Sequence, residues 1–294
     1  MVGAGDAAGR RPLDGALAPA LAVSDREFGQ FQALIHREAG IWLAPVKKAL
    51  LVGRLAKRLR ELGLPSYGAY YDRVVEDEAE RIRMLDCICT NETHFFREPR
   101  HFEFLVSRVF PAWREEAAAG RRARRVRVWS AACSTGEEPC TIAMVLLDAL
   151  PGWELEVLAT DLSTKVLERA AAGIWPLEKS KEIPEAYLKT FMLKGYGAQE
   201  GFMKAGEELR AVLSFARVNL VGEGWPAGSF DLVFCRNVLI YFDRQSKIAV
   251  VERLIERLDA GGYLFLGHAE SLGGFTARAR PVLPTVYQPA PRGR

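Results

Sequence analysis

From residue 24 onward the apolar positions recur with a helical period. Phe28, Phe31, Leu34 and Ile35 share one face, Ser24-x-x-Glu27 ahead of them forms a capping box, and Gly40 ends the segment. A second run, PVKKALLVGRLAKRLRELGL, places Leu51, Leu55, Leu59 and Leu62 on one face. The third, SYGAYYDRVVEDEAERIRMLDCICT, predicts one or two further helices. The first hundred residues therefore read as an all-helical unit. Residues 1–22, rich in Ala, Gly and Pro and without periodicity, read as a disordered tail.

Near residue 125 the period changes. VRVWSAA, LEVLATD, FDLVFCRN and GGYLFLGH are short apolar runs bounded by turn signals. Helical patterns lie between them: one carrying Ile142, Met144, Val145 and Leu146, one from an N-capping Ser163 to Ala172, and one around 244–258. Strands alternating with helices predict a parallel α/β sheet covered on both faces. Residues 174–211 break the rhythm and read as an insertion, a helix plus a small antiparallel hairpin or sheet. The predicted division is a tail (1–22), a helical domain (23–97) and an α/β domain (98–294).

Composition narrows the class. The chain has 294 residues, 49% hydrophobic and 26% charged, as expected of a globular protein with a sizeable core. No apolar run approaches the ~18–20 residues of a membrane span, and the N-terminus lacks a signal-peptide core, so a cytoplasmic protein is expected. Five cysteines without a CxxC pair predict small buried thiols in a reducing compartment. Four histidines without ligand spacing predict no metal centre. The net charge of +3 argues against general nucleic-acid binding. Locally the balance fails: from Lys47 to Arg60 there are six basic residues and no acid. Lys47, Arg54 and Arg58 line one flank of that helix, either as a solvated face or as a docking row for an acidic partner.

In open α/β sheets ligands bind at the carboxyl ends of the strands. The first strand ends in Ala131-Ala132-Cys133-Ser134-Thr135-Gly136-Glu137-Glu138, the second in Asp161, 25 residues after Gly136. An acid there can accept hydrogen bonds from both hydroxyls of a ribose. A dinucleotide site would want G-x-G-x-x-G for its pyrophosphate. This loop has one glycine and two carboxylates, which repel phosphate and suit the cationic ammonium and sulfonium of S-adenosylmethionine. FARVNL ends at Asn219-Leu220, which could offer an amide and an apolar side chain to adenine. FDLVFCRNVLIYFD ends at Arg236-Asn237 with Tyr241 one turn on, and a charged pair directly after a buried strand needs a reason. Upstream, the polar-aromatic cluster from Thr90 to Pro99 lies at the join of the two units, where a ligand often sits.

NETHFFRE, WSAACSTGEEPC, ATDLSTKVLERA, FCRNVLIYFD and GGYLFLGHAESL, in this order, resemble the CheR family of chemotaxis methyltransferases over roughly residues 23–290. The resemblance implies a Rossmann-like, S-adenosylmethionine-dependent methyltransferase sheet with a small inserted β-subdomain and a helical N-terminal domain. It implies methylation of glutamate side chains on the cytoplasmic domain of chemoreceptors, by a monomer without membrane insertion. Carried over by position, it implies that Asn91, Thr93, Arg97, Glu138, Asp161, Asn219, Leu220, Arg236 and Asn237 contact the cofactor. Glu137 is the alternative to Glu138, and Arg97 and Tyr241 would lie closest to the transferred methyl. In this light the row of Lys47, Arg54 and Arg58 would dock an acidic receptor helix.

The chemistry agrees. A glutamate carboxylate is ionised at pH 7, with an unperturbed pKa of about 4.3, and needs no general base. No Ser/His/Asp triad or Cys/His pair is evident. Many amine methyltransferases use an Asn/Asp-Pro-Pro-Tyr/Phe motif where this chain reads Arg236-Asn237-Val238-Leu239. Two other readings remain, a scaffold without turnover and an RNA methyltransferase. The retained Asp161, Arg97 and Arg236-Asn237 oppose the first. The near-neutral balance and the single basic helix oppose the second.

Overall fold

The computed structural model describes residues 22–274 and 276–291. The expected tail, save its last residue, lies outside them.

The helical unit consists of α1 (Asp25–Ala39), α2 (Lys48–Glu61), α3 (Tyr67–Glu76) and α4 (Glu78–Ile88). The capping box forms as expected: the Ser24 hydroxyl accepts from the Glu27 amide while the Glu27 carboxylate accepts from the Ser24 amide. The predicted apolar faces meet in one core built on Phe31, Leu34, Ile35, Leu51, Leu55, Leu59, Tyr67 and Tyr70. Leu62 packs only at its edge.

A linking segment leads to α5 (Pro99–Phe104), one π-helical turn (Leu105–Val109) and α6 (Phe110–Ala118). The α/β unit follows: β1 (Arg125–Ala131), α7 (Glu137–Ala149), β2 (Glu154–Asp161) and α8 (Thr164–Ala172). The insertion holds β3 (Ile174–Pro176), α9 (Glu185–Phe191), β4 (Met192–Lys194) and β5 (Phe202–Ala205). The main fold resumes with α10 (Glu207–Val212), β6 (Leu213–Arg217), β7 (Phe230–Cys235), α11 (Arg244–Glu256), β8 (Leu258–Leu266), β9 (Ala279–Leu283) and β10 (Val286–Pro289).

The main sheet has seven strands in the order β6-β2-β1-β7-β8-β10-β9. The first five are parallel, and β10 and β9 add an antiparallel edge. Alternation within strands separates two cores. Val126, Val128, Leu232, Phe234 and Phe265 face α7 and the insertion, whereas Trp129, Ala131, Val233, Cys235 and Leu264 face α11. The insertion forms the small antiparallel sheet, β3-β5-β4. The chain runs outward from β1 to β2 and β6, then returns to place β7 on the other side of β1. That reversal opens a crevice at the carboxyl ends of β1 and β7.

The helical domain closes over this crevice. Ile41 bridges to Phe242, and the Trp42 amide donates to the Tyr241 carbonyl at 2.8 Å. His36 pairs with Asp243 and holds that carboxyl down to about 2. Gly40 makes the close approach possible. Its φ is +68°, and a Cβ there would lie 2.4 Å from Val221 Cγ1.

Candidate active site

A cleft of about 1370 Å³, its open mouth included, lies between the helical domain and the carboxyl ends of the strands. Strand β2 brings Asp161 to it. One carboxylate oxygen accepts from the Ser134 amide at 2.9 Å and the other from the Ser163 amide at 3.0 Å, so the side chain ties the loop after β1 to the start of α8. Burial pushes its pKa up, against the pull of those amides.

The loop after β1 settles which glutamate faces the cleft. Glu138 borders it, with Oε1 accepting from the Ser130 hydroxyl at 2.7 Å and Oε2 lying 3.3 Å from Arg236. Burial raises its pKa more than Arg236 lowers it. Glu137 turns the other way, fully buried, to Lys179 of the insertion at 2.7 Å and to the Thr135 hydroxyl. It is the structural partner of the inserted subdomain.

The linking segment crosses the same loop. The Asn91 carbonyl accepts from the Ser134 hydroxyl at 2.9 Å, the Thr93 carbonyl from Lys179 at 3.1 Å, and Arg97 donates to the Glu92 carbonyl at 3.1 Å. After β7 come Arg236, buried, and Asn237, whose backbone is left-handed at φ 59°. Six non-glycine residues among those described adopt a left-handed backbone, and four of them, Phe96, Ala132, Ser134 and Asn237, border the cleft. Strain of this kind collects where surrounding contacts over-determine a site.

All nine residues expected at the cofactor line this one cleft, together with Tyr241, Lys47 and Arg54. Leu220 is buried beside Asn219 in its wall. The Asn219 side chain also joins the two domains: its Nδ2 donates to the Glu38 carbonyl at 2.6 Å and its Oδ1 accepts from the Val221 amide.

The basic row also divides. Arg54 donates to the Ile88 carbonyl and the Thr90 hydroxyl, both neutral, and Lys47 has no carboxylate partner among the described residues. Arg58 instead turns into the helical domain, onto Glu80 at 2.5–2.7 Å and Glu61 at 3.1 Å. Of the three residues expected in the row, Lys47 and Arg54 line the cleft, while the Arg58 charge is matched inside its own domain.

Three features were not anticipated. Glu98 stands behind the cleft wall and holds Arg236. Glu270 is buried and accepts from the amides of Gly267, Asn237 and Ile240, so it locks the loop after β7 to the loop after β8. Gly267 lies so close that a Cβ would sit 2.5 Å from the Asn237 amide nitrogen Nδ2. Both glutamates stand inside motifs quoted above, in FFRE and GHAESL, yet a lone acid gives no sequence signal of an internal partner. His101 and His268, remote in sequence, meet beside Glu98.

The donor set fits a cationic nucleoside ligand. Two carboxylates, Glu138 in the first turn of α7 and Asp161 at the end of β2, meet the cleft with burial working against their charge, and the loop after β1 has no glycine-rich phosphate cradle. Comparison with known proteins agrees. The model of the CheR methyltransferase SAM-binding domain matches residues 91–287, and that of the CheR all-alpha domain matches residues 26–89. Chemotaxis protein methyltransferase 2 of Pseudomonas aeruginosa is 38% identical over 267 residues, 90% of this chain and 93% of its own. The chemotaxis protein methyltransferase of Escherichia coli is 38% identical over 274 residues, 91% and 92% of the two chains. That of Borreliella burgdorferi is 32% identical over 273 residues, 90% and 95%. The chain therefore belongs to the CheR methyltransferase family, and its methyl donor is S-adenosylmethionine.

Proposed function

We propose that this protein methylates glutamate side chains on the cytoplasmic domain of chemoreceptors. The observation that carries the reading is the mouth of the cleft, where Lys47 and Arg54 have positive charges without carboxylate partners among the described residues. An acceptor helix bearing several carboxylates complements that rim. The relatives' names, chemotaxis methyltransferases, point the same way.

The bound donor supplies a methyl group on a sulfonium, a leaving group already in place. The chain's own task is proximity, alignment and exclusion of water. Asp161 accepts from the ribose, and Glu138 faces the donor's amino group. Asn91, Thr93, Asn219, Leu220 and Asn237 shape the remaining wall. Arg97, anchored on the Glu92 carbonyl, steadies the donor's amino-acid end, and Tyr241 aims the acceptor carboxylate. No group is needed to remove a proton, because the acceptor is already ionised at pH 7.

Incubation with labelled donor and receptor-containing membranes should place base-labile methyl esters on the receptor. Alkali-stable label would indicate N-methylation and no label a scaffold; either outcome rejects the proposal. Lys47→Glu should lower activity on receptor roughly threefold to tenfold and flatten its salt dependence. Arg97→Ala or Tyr241→Phe at full turnover would remove that residue from its assigned role.

The raised pKa of Glu138 gives a pH prediction. In the free protein burial favours its protonated form, a contribution to stability present in acid and lost as pH rises through the raised value. A cation beside it reverses the preference. Donor binding should therefore release protons where Glu138 titrates, and affinity should fall as pH drops through its raised value. Calorimetry in two buffers of different ionisation enthalpy measures this; equal heats would reject it.

A further inference from the structure

Arg236 stands between two carboxylates. Its side chain is 1% exposed. Nε and Nη2 each lie 3.2 Å from Oε2 of Glu98, Nη1 lies 3.3 Å from Oε2 of Glu138, and Nη2 also donates to the Arg97 carbonyl. One buried guanidinium thus serves two carboxylates. Arg97, which also lines the cleft, is only half-buried and donates to the Glu92 carbonyl.

The two glutamates face different ways. Glu138 borders the cleft, and Glu98 stands one layer behind it. Oε1 of Glu98 accepts from the His268 amide at 3.0 Å and faces Nδ2 of Asn237 at 3.5 Å, while Nδ1 of His101 lies 3.5 Å from Oε2. Glu98 also holds a costly backbone, φ 58° and ψ 65°, directly before Pro99, where the ring favours extended conformations. Its carboxylate and a ring nitrogen each of His101 and His268 lie within 4.8 Å of one another, but a divalent cation there would have to displace Arg236.

We propose that Glu98 is a positioning residue for the methyl donor: by neutralising Arg236 from behind the cleft wall, it leaves the Glu138 charge free to meet the donor's amino group. The inference rests on the role given to Glu138 above. Without the Glu98 charge, Arg236 closes onto Glu138 as a matched pair. The cleft then loses its uncompensated negative charge while its nucleoside end, formed around Asp161, is untouched.

This predicts a loss specific to one end of the ligand. Glu98→Gln keeps the shape of the side chain and an acceptor for the His268 amide. S-adenosylhomocysteine carries the amino-acid end, and 5′-methylthioadenosine lacks it. In Glu98→Gln, affinity for the first should fall about tenfold or more while affinity for the second stays within about twofold, as expected on losing one charge-assisted contact. Glu98→Asp, which restores the charge, should recover part of the loss. Equal weakening of both ligands would make Glu98 a structural prop, and no weakening of either would deny it a role; both overturn the proposal. Retained binding of 5′-methylthioadenosine also reports that the variant is folded. Glu138→Gln tests the underlying role separately: unless it too selectively loses S-adenosylhomocysteine, the assignment of Glu138 falls, and the proposal for Glu98 with it.

Discussion

Asp161→Ala is expected to weaken S-adenosylmethionine binding by about 100-fold or more, with the fold retained. The substitution removes two things at once. It deletes an ionised acceptor at the end of β2, and a charge-assisted hydrogen bond contributes about 1.5–3 kcal/mol. It also orphans the amides of Ser134 and Ser163, which the carboxylate now accepts. Ser134 sits at φ 51°, so its loop loses one of the contacts that hold it in a left-handed conformation. Each buried amide left unpaired costs about 1–3 kcal/mol, so the melting temperature of the free protein should fall as well. Asp161→Asn should be milder in stability, since one oxygen can still accept from one of the two amides. Isothermal titration with S-adenosylhomocysteine measures the affinity and thermal unfolding the stability. Unchanged affinity in Asp161→Ala would remove Asp161 from the donor site.

The site was legible in the sequence wherever a strand end placed a residue. Asp161 ends β2 as the apolar run predicted, β1 and β7 end at Ala131 and Cys235, within two residues of the predicted ends, and Ser163 caps α8 by accepting from the Val166 amide. Those positions depend on local pattern, which the sequence carries directly. What it could not carry was the direction of a side chain with two available partners. Glu137 and Glu138 are adjacent on the first turn of α7, about 100° apart around its axis, and only the approach of Lys179 from the insertion decides which one faces the cleft. Asn219 is a second case, since its amide borders the cleft and also reaches the Glu38 carbonyl. An exposed turn amide has no assigned partner until another domain packs on it.

The antiparallel edge formed by β9 and β10 and the π-helical turn at Leu105–Val109 were also not anticipated. The strands are short, and β9 carries exposed residues on both sides, so alternation is lost. The basic helix shows the limit of reasoning by charge. Six cations without an acid in the segment suggested one docking row. Three of them find carboxylates: Lys48 on Asp25 of α1, Lys57 on Glu61 at the end of its own helix, and Arg58 on Glu80 of α4. The sequence gives the charge on a helix face and the packing decides how much of it stays unmatched.

Glu80→Ala should destabilise the helical domain by about 3–5 kcal/mol, the range for breaking a buried ion pair from one side. The Glu80 side chain is 2% exposed. It receives both Nε and Nη2 of Arg58, at 2.7 and 2.5 Å, and the Tyr70 hydroxyl at 3.0 Å. Burial works against its charge, but Arg58 and Tyr70 together hold its pKa below the ordinary value of 4.5. Because the folded-state value is depressed, this contribution is fully present above about pH 4.5 and is lost as pH falls through the lowered value. The helical domain should therefore loosen in acid, and Glu80→Ala should flatten that part of the stability curve. In the variant, Arg58 is left among Tyr70 and the leucines of α2, with Glu61 its one remaining carboxylate among the described residues. Removing both members, as Glu80→Leu with Arg58→Met, should cost much less than Glu80→Ala, since no unpaired charge remains. Urea unfolding of the two single variants and the double variant measures the coupling. A coupling near zero would mean that Arg58 does not depend on Glu80, and its charge would then be available for docking after all. A large coupling has the opposite consequence for function: any loss of receptor methylation in Arg58→Ala would follow from a loosened helical domain, and only Lys47 and Arg54 would remain to be tested as the docking charges.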